Sequence, residues 1–241
     1  KEKEMREMNV FKALCLSFCC IIITSCVKYD AEPFTGKTLP RTCGYSTGVT
    51  NDWIYFNLRT GERFNTLSPN QDITEGEQKE RTDWDLAFCG YRLRTNSGTS
   101  GIGQGAAADL GYGSYDKWKT VSQLPADLKW TVDNDTEVYV TMSQNDWNKY
   151  LIEHGLDFNE NPWFDPNTGP AKTLTSANPI LAEAMSFAGP PPVYTPSYHT
   201  YVVRTADGKR YFKIQIISWY NADSEIGDSG GQISYYCDEL N

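Results

Sequence analysis

Apolar and polar residues alternate along much of this chain, and that period predicts strands. The most legible case is Thr82 to Ala108, TDWDLAFCGYRLRTNSGTSGIGQGAAA. Trp84, Leu86 and Phe88 fall on one face of an extended segment and Asp85, Ala87 and Cys89 on the other, the pattern of a buried strand. Tyr91 to Arg94 extends it. Gly98, Gly101, Gly103 and Gly105 then follow among mostly small or polar residues. Such a segment cannot be a helix and packs poorly as a strand, so it is expected to be a loop held close to other backbone or to a ligand.

Trp53 to Leu58 reads as a strand, with Thr60-Gly61-Glu62 as its turn and Leu67 to Arg81 as a polar, exposed connection. Gly111 to Tyr115 reads as a loop. Trp118 to Val121, Trp130 to Val132 and Glu137 to Met142 read as short strands, with Asp133-Asn134-Asp135 as a turn. A helical period occurs at Ser143 to His154. Trp147, Tyr150, Leu151 and His154 lie at i, i+3, i+4, i+7, Ser143 is placed to cap, and Gly155 to end it. Asn159 to Pro170 is expected to be irregular, Asn178 to Ala182 a helical turn, Glu183 to Phe187 a strand and Pro190-Pro191-Pro192 a stiff connector. His199 to Arg204 and Lys209 to Ser218 flank Ala206-Asp207-Gly208, the clearest hairpin in the chain, because Asp-Gly supplies a positive-φ turn. Asp223 to Gly231 is a further loop and Gln232 to Cys237 a closing strand. These elements add up to an all-β domain with one or two short helices.

The N-terminal stretch changes the domain picture. Residues 1–25 have the layout of a signal peptide: a charged start, the apolar run ALCLSFCCIII, and the ending Ile23-Thr24-Ser25-Cys26. That ending resembles a bacterial lipobox, which implies cleavage before Cys26 and its acylation. Residues 26–50 are then a lipidated N-terminus and flexible tether, and 51–241 the folded domain. Of the seven cysteines, Cys15, Cys19 and Cys20 leave with the signal, and Cys43, Cys89 and Cys237 remain beside the acylated Cys26. Three disulfide pairings are open to them, as is the alternative that all three are free thiols.

Charge and composition narrow the function. With 241 residues and a net charge of −9, the chain is poorly suited to nucleic acid or anionic lipid, which reward clustered Lys and Arg. Gly101 to Ala106, GIGQGA, formally fits a dinucleotide fingerprint, but no helix is expected after it and no βαβ unit surrounds it. Neither of the 2 His lies in a recognisable triad context. A glycosidase pair of carboxylates is not excluded by sequence, although most acids lie in turn-like stretches where a solvated role is expected. Catalysis is not expected.

WDLAF followed by R-x-R-T-N-S-G-x-S-G-x-G-x-G, together with Tyr201 to Ile214, YVVRTADGKRYFKI, and Asn178-Pro179-Ile180-Leu181, resembles the haem-binding lipoprotein family typified by HmuY of Bacteroidetes. The likeness runs from about Trp53 to Tyr236. It implies an HmuY-like β-sandwich lipid-anchored at the outer membrane. Its ligand would be haem, as a transported b-type group gripped between loops by two axial side chains, His or Met, and passed to an uptake system such as a TonB-dependent receptor. Iron ligation draws on His, Met, Cys or Tyr, and the folded domain offers four His and Met: Met142, His154, Met185 and His199. Met185, His154 and Met142 are the axial candidates and Tyr194, Tyr198 and Trp163 the candidates for stacking on the porphyrin. Each has a plainer role open to it: a core methionine, a helix-end histidine, a core aromatic. His199 opens the hairpin and reads as structural. The chain departs from the family at Phe187-Ala188-Gly189-Pro190, where close members carry His or Met beside the proline-rich loop. The other reading is a binding or scaffold module of the same fold that recognises glycan or protein, suggested by the aromatic residues between Trp147 and Trp163.

Overall fold

The computed structural model describes residues 34–39, 53–66, 72–139, 152–153, 155, 164–165, 169–170, 172–188, 193–220 and 232–241. The chain divides into Lys1–Phe34 and Thr35–Asn241, and every strand named here belongs to the second unit. In chain order these are β1 (Lys37–Thr38), β2 (Ile54–Phe56), β3 (Arg63–Phe64), β4 (Leu86–Cys89), β5 (Arg92–Thr95), β6 (Ala106–Tyr112) and β7 (Asn134–Tyr139). After them come β8 (Phe164–Asp165), β9 (Gly169–Pro170), β10 (Lys172–Ala177), β11 (Met185–Ala188), β12 (Val193–Pro196), β13 (His199–Arg204), β14 (Tyr211–Ser218) and β15 (Ser234–Glu239). The chain is predominantly β with short 3-10 turns.

One antiparallel sheet runs β1-β15-β14-β13-β6 and a second runs β3-β2-β4-β5. They share a core in which Ile54, Leu86, Phe88 and Leu93 of the second sheet meet Tyr201, Val203, Ile214, Ile216 and Tyr235 of the first. Phe88 lies 5.3 Å from Tyr235, ring centre to ring centre, and edge-on to Phe56 at 5.7 Å. Burying each such side chain contributes about 1.5–3 kcal/mol. Residue Val202 faces the other way, against Ala108, Trp118 and Leu240. The first sheet is therefore covered on both faces, which is why β13 reads Tyr-Val-Val without a polar interruption.

The family-like motifs pack into one unit. Asp85 is fully buried; it accepts from Leu58 N at 2.8 Å and from Ala206 N at 2.7 Å, and pairs with Arg59 at 3.1 Å. It thus ties the Trp84–Phe88 segment to the Ala206-Asp207-Gly208 turn, whose Ala206 O accepts from Gln104 N of the glycine loop. Arg94, also fully buried, donates to Ser176 O, the Tyr55 hydroxyl and Glu75, and lies 3.6 Å over the Trp53 ring. The glycine loop is held by backbone, as Asn96 shows. Its amide donates to Arg81 O and Trp84 O and accepts from Gly103 N. A Cβ on Gly101 would sit 2.2 Å from Asn96 Oδ1, and one on Gly105 2.6 Å from Asn96 O.

Several sequence expectations are corrected. Tyr91 to Arg94 does not extend the preceding strand. Gly90, at φ 57, turns the chain so that β5 pairs antiparallel with β4, Cys89 opposite Arg92, and glycine at the first central position suits a type II′ turn. Residues expected as loop at Gly111 and Tyr112 belong to β6. Trp118 to Val121 is not a strand: the 3-10 turns Tyr115–Lys117 and Val121–Gln123 flank Trp118, which is pinned by burial. Trp130 to Val132 forms only the bridge Ala107↔Thr131. Asn134 and Asp135 begin β7 and are not a turn, because Asp133 is buried and bonded to Thr95 N, Thr95 Oγ1 and Asn178 Nδ2. Within the connection expected to be exposed, Ile73 and Gln78 are fully buried. Within the expected tether, Lys37–Thr38 pairs with β15 and Leu39 is buried. Cys89 and Cys237 are both buried and are not joined to each other; burial pushes the Cys237 thiol up to about 11. Cys43 lies outside the described residues, as does most of the expected helix. Ile152 and Glu153 are helical, and Gly155 follows at φ 64. No helix among the described residues is long and apolar enough to cross a membrane.

Candidate functional site

The hairpin β11–β12 is launched by Asn178. Its side-chain oxygen accepts from Ile180 N and Leu181 N, and its amide donates to Thr131 O and Asp133. The 3-10 turn Leu181–Ala184 follows and delivers Met185 into β11. Antiparallel register sets Met185 opposite Pro196 and Phe187 opposite Tyr194. Directly opposed residues share a face, as do residues two apart, so Met185 and Tyr194 lie on the same side of this hairpin. Met185 is 6% exposed and belongs to the main core.

Tyr194 is half-buried and stacks on Trp219, with ring centres 4.2 Å apart and planes 18° off parallel. Tyr91 closes the group, 5.7 Å from Tyr194 and 6.3 Å from Trp219. Clustered rings of this kind suit contact with a flat apolar guest. Tyr91 and Trp219 are absent from the sequence-derived candidates; each sits just beyond a strand, where alternation no longer assigns a face.

Of the remaining candidates, His154, Met142, Trp163 and Cys26 lie outside the described residues. Tyr198 is 42% exposed and holds φ 56, one of two non-glycine residues with positive φ among those described. His199 follows it, its Nδ1 2.9 Å from Asp109 Oδ2. The structure thus brings Met185 and Tyr194 together on one hairpin and puts Tyr198 and His199 at the start of β13. A separate cavity of about 330 Å³ opens between the sheets, walled by Phe56, Phe212 and Tyr235 with Lys37 and Arg63 also lining it. None of the sequence-derived candidates lines it. Among the described residues, no group of three or more His, Cys, Asp or Glu is placed to hold a bare metal ion.

The family model described as HmuY protein matches residues 49–237. Among solved structures, the apo HmuY analog (TFO) of Tannerella forsythia superimposes with a TM-score of 0.52 at 18% identity, covering 88% of this chain and 99% of that one. Apo PinO from Porphyromonas gingivitis gives 0.51 at 17% identity, covering 87% and 99%. These likenesses establish a common fold. None of the curated proteins matches this chain.

Proposed function

Because this chain belongs to the HmuY family, we propose that it is a lipid-anchored protein of the outer-membrane surface that binds haem or porphyrin and hands it to an uptake system such as a TonB-dependent receptor. The ligand leaves unchanged, so affinity and release are the whole activity. The carrying observation is the family match over residues 49–237. The Met185 and Tyr194 hairpin agrees with it.

Haem supplies iron with two axial positions outside the porphyrin plane. A thioether is a suitable axial donor, and the aromatic group of Tyr91, Tyr194 and Trp219 is a suitable neighbour for a flat macrocycle. Met185 is nevertheless covered by core in this conformation. Ligation by it therefore requires the β11–β12 hairpin to swing away from the core, and His154 or Met142 to approach from the other side. Tyr198 and Trp163 would add stacking surface, and acylation of Cys26 would keep the domain at the membrane. A haemin titration tests this reading. The protein should develop a Soret band, and Met185→Ala, His154→Ala or Met142→Ala should weaken or shift it. Iron-free protoporphyrin should bind the wild type and Met185→Ala alike, because stacking does not need the metal.

A second reading draws on the exposed aromatics Tyr112, 72% exposed, and Tyr198. Such rings also fit sugar faces, and a non-haem binding module of the same fold would recognise glycan or protein through them. Glycan-array binding with no haemin response would favour it.

A further inference from the structure

His199 is not used by the site above, yet its setting is that of a metal ligand. Its Nδ1 meets Asp109 Oδ2 at 2.9 Å, and Asp109 Oδ1 is held in turn by Gly111 N at 2.8 Å. With the carboxylate accepting Nδ1–H, the tautomer is fixed and the lone pair lies on Nε2. A carboxylate behind the imidazole is the usual support of a ligating histidine. Nε2 has no protein partner among the described residues, and the side chain is 36% exposed.

A fault in the β6–β13 register builds this arrangement. His199 pairs with Tyr112 and Thr200 with Gly111, but Tyr201 pairs with Asp109, so Leu110 is an extra residue on β6. In a regular strand Asp109 and Tyr112, three apart, would point to opposite faces. The bulge resets the parity, and His199, Asp109 and Tyr112 share one face. Gly111 accepts the distortion at φ 96. The Tyr112 ring then stands edge-on to His199 at 6.2 Å. Tyr198, the residue before, is held in its positive-φ state by Gly113 N and Gln215 Nε2, both donating to its carbonyl. A bulky residue kept in that region is strained, and strain of this kind gathers at ligand sites.

We infer that His199 is an axial ligand for porphyrin iron at a surface site on the β6 edge, flanked by Tyr112 and Tyr198. The choice of haem rests on the proposed function; the site itself does not. Chemistry favours a macrocycle over a bare ion. Zinc takes at least three protein ligands and calcium six or more oxygens, whereas no such group is present among the described residues and Asp109 is already spent on His199 and Gly111. Iron porphyrin brings four nitrogens with it and needs one axial donor from the protein. The two exposed phenol rings offer the flat contact a macrocycle requires. The site also adjoins the Met185 hairpin, since Ser197 N donates to Ala184 O at 2.9 Å.

The test is a haemin titration of wild type, His199→Ala, His199→Gln, Asp109→Ala and Met185→Ala, followed by absorbance and resonance Raman. The wild type should show the iron–imidazole signature. His199→Ala should lose it and regain it on addition of free imidazole. Asp109→Ala should bind about 10–100-fold more weakly with the same ligand set, the usual penalty for removing such a support. Retention of the band in Met185→Ala would confirm that this site stands alone. An unchanged spectrum and affinity in both His199 variants, with loss in Met185→Ala, would overturn the inference and leave the proposed function standing. No band in the wild type would overturn both.

Discussion

At Asn96 one side chain closes three backbone contacts: two carbonyls on one side of the loop and the Gly103 amide on the other. Asn96→Ala leaves the buried Trp84 carbonyl without this donor, at about 1–3 kcal/mol, removes two part-buried contacts as well, and should lower the urea midpoint sharply. Gly103→Ala should do comparable damage for a different reason, because its Cβ would lie 2.7 Å from Asn96 O. The need for glycine there was legible in the sequence. Its partner was not, because an asparagine before Ser-Gly looks like an ordinary turn residue. Asp133 was misread for the same reason: Asp-Asn-Asp has turn composition, and only the fold reveals that the first of them is buried. Burial pushes the Asp133 carboxyl above its usual range, while bonds from Thr95 and Asn178 pull the other way and lose. A raised native pKa means that the folded state holds the proton more tightly than the unfolded chain. Its contribution is therefore full at low pH and is lost as pH rises through the native pKa. Asp133→Asn removes that titration, so the stability advantage of wild type over this variant should shrink between acid and neutral pH in parallel denaturation curves.

Among the elements, hairpins signalled by composition were found and those depending on a single residue were missed. Asp-Gly marked β13–β14, whereas the Gly90 turn between β4 and β5 was hidden in what looked like one long strand. Gly90→Val forces a β-branched residue into a left-handed conformation costing about 1–2 kcal/mol, and thermal unfolding should show a lower midpoint with no change of fold. The β6 bulge was equally invisible. Alternation in Ala-Ala-Ala-Asp-Leu-Gly-Tyr is weak, and the extra residue becomes apparent only through its pairing with β13. From sequence His199 therefore showed only its place at the opening of the hairpin, while Met185 was a candidate through family resemblance.

Across the whole molecule, the architecture was more legible than the site. All-β character followed from alternation, and the resemblance is matched by the family model over residues 49–237. The candidate sites draw on residues far apart in sequence: Tyr91, Tyr194 and Trp219 in one group, Asp109 and His199 in the other. No local pattern joins them. A chain of net charge −9 repels the carboxylates of haem at long range, and salt screens that repulsion. Haemin affinity should therefore rise, or at least not fall, from low to physiological ionic strength, in contrast to a basic nucleic-acid binder. The most direct measurement of the account is the absorbance of the purified protein titrated with haemin at micromolar concentration. A Soret band distinct from free haemin, saturating at a small whole-number ratio, is the result predicted. A spectrum that stays the sum of free haemin and protein at every ratio would contradict it.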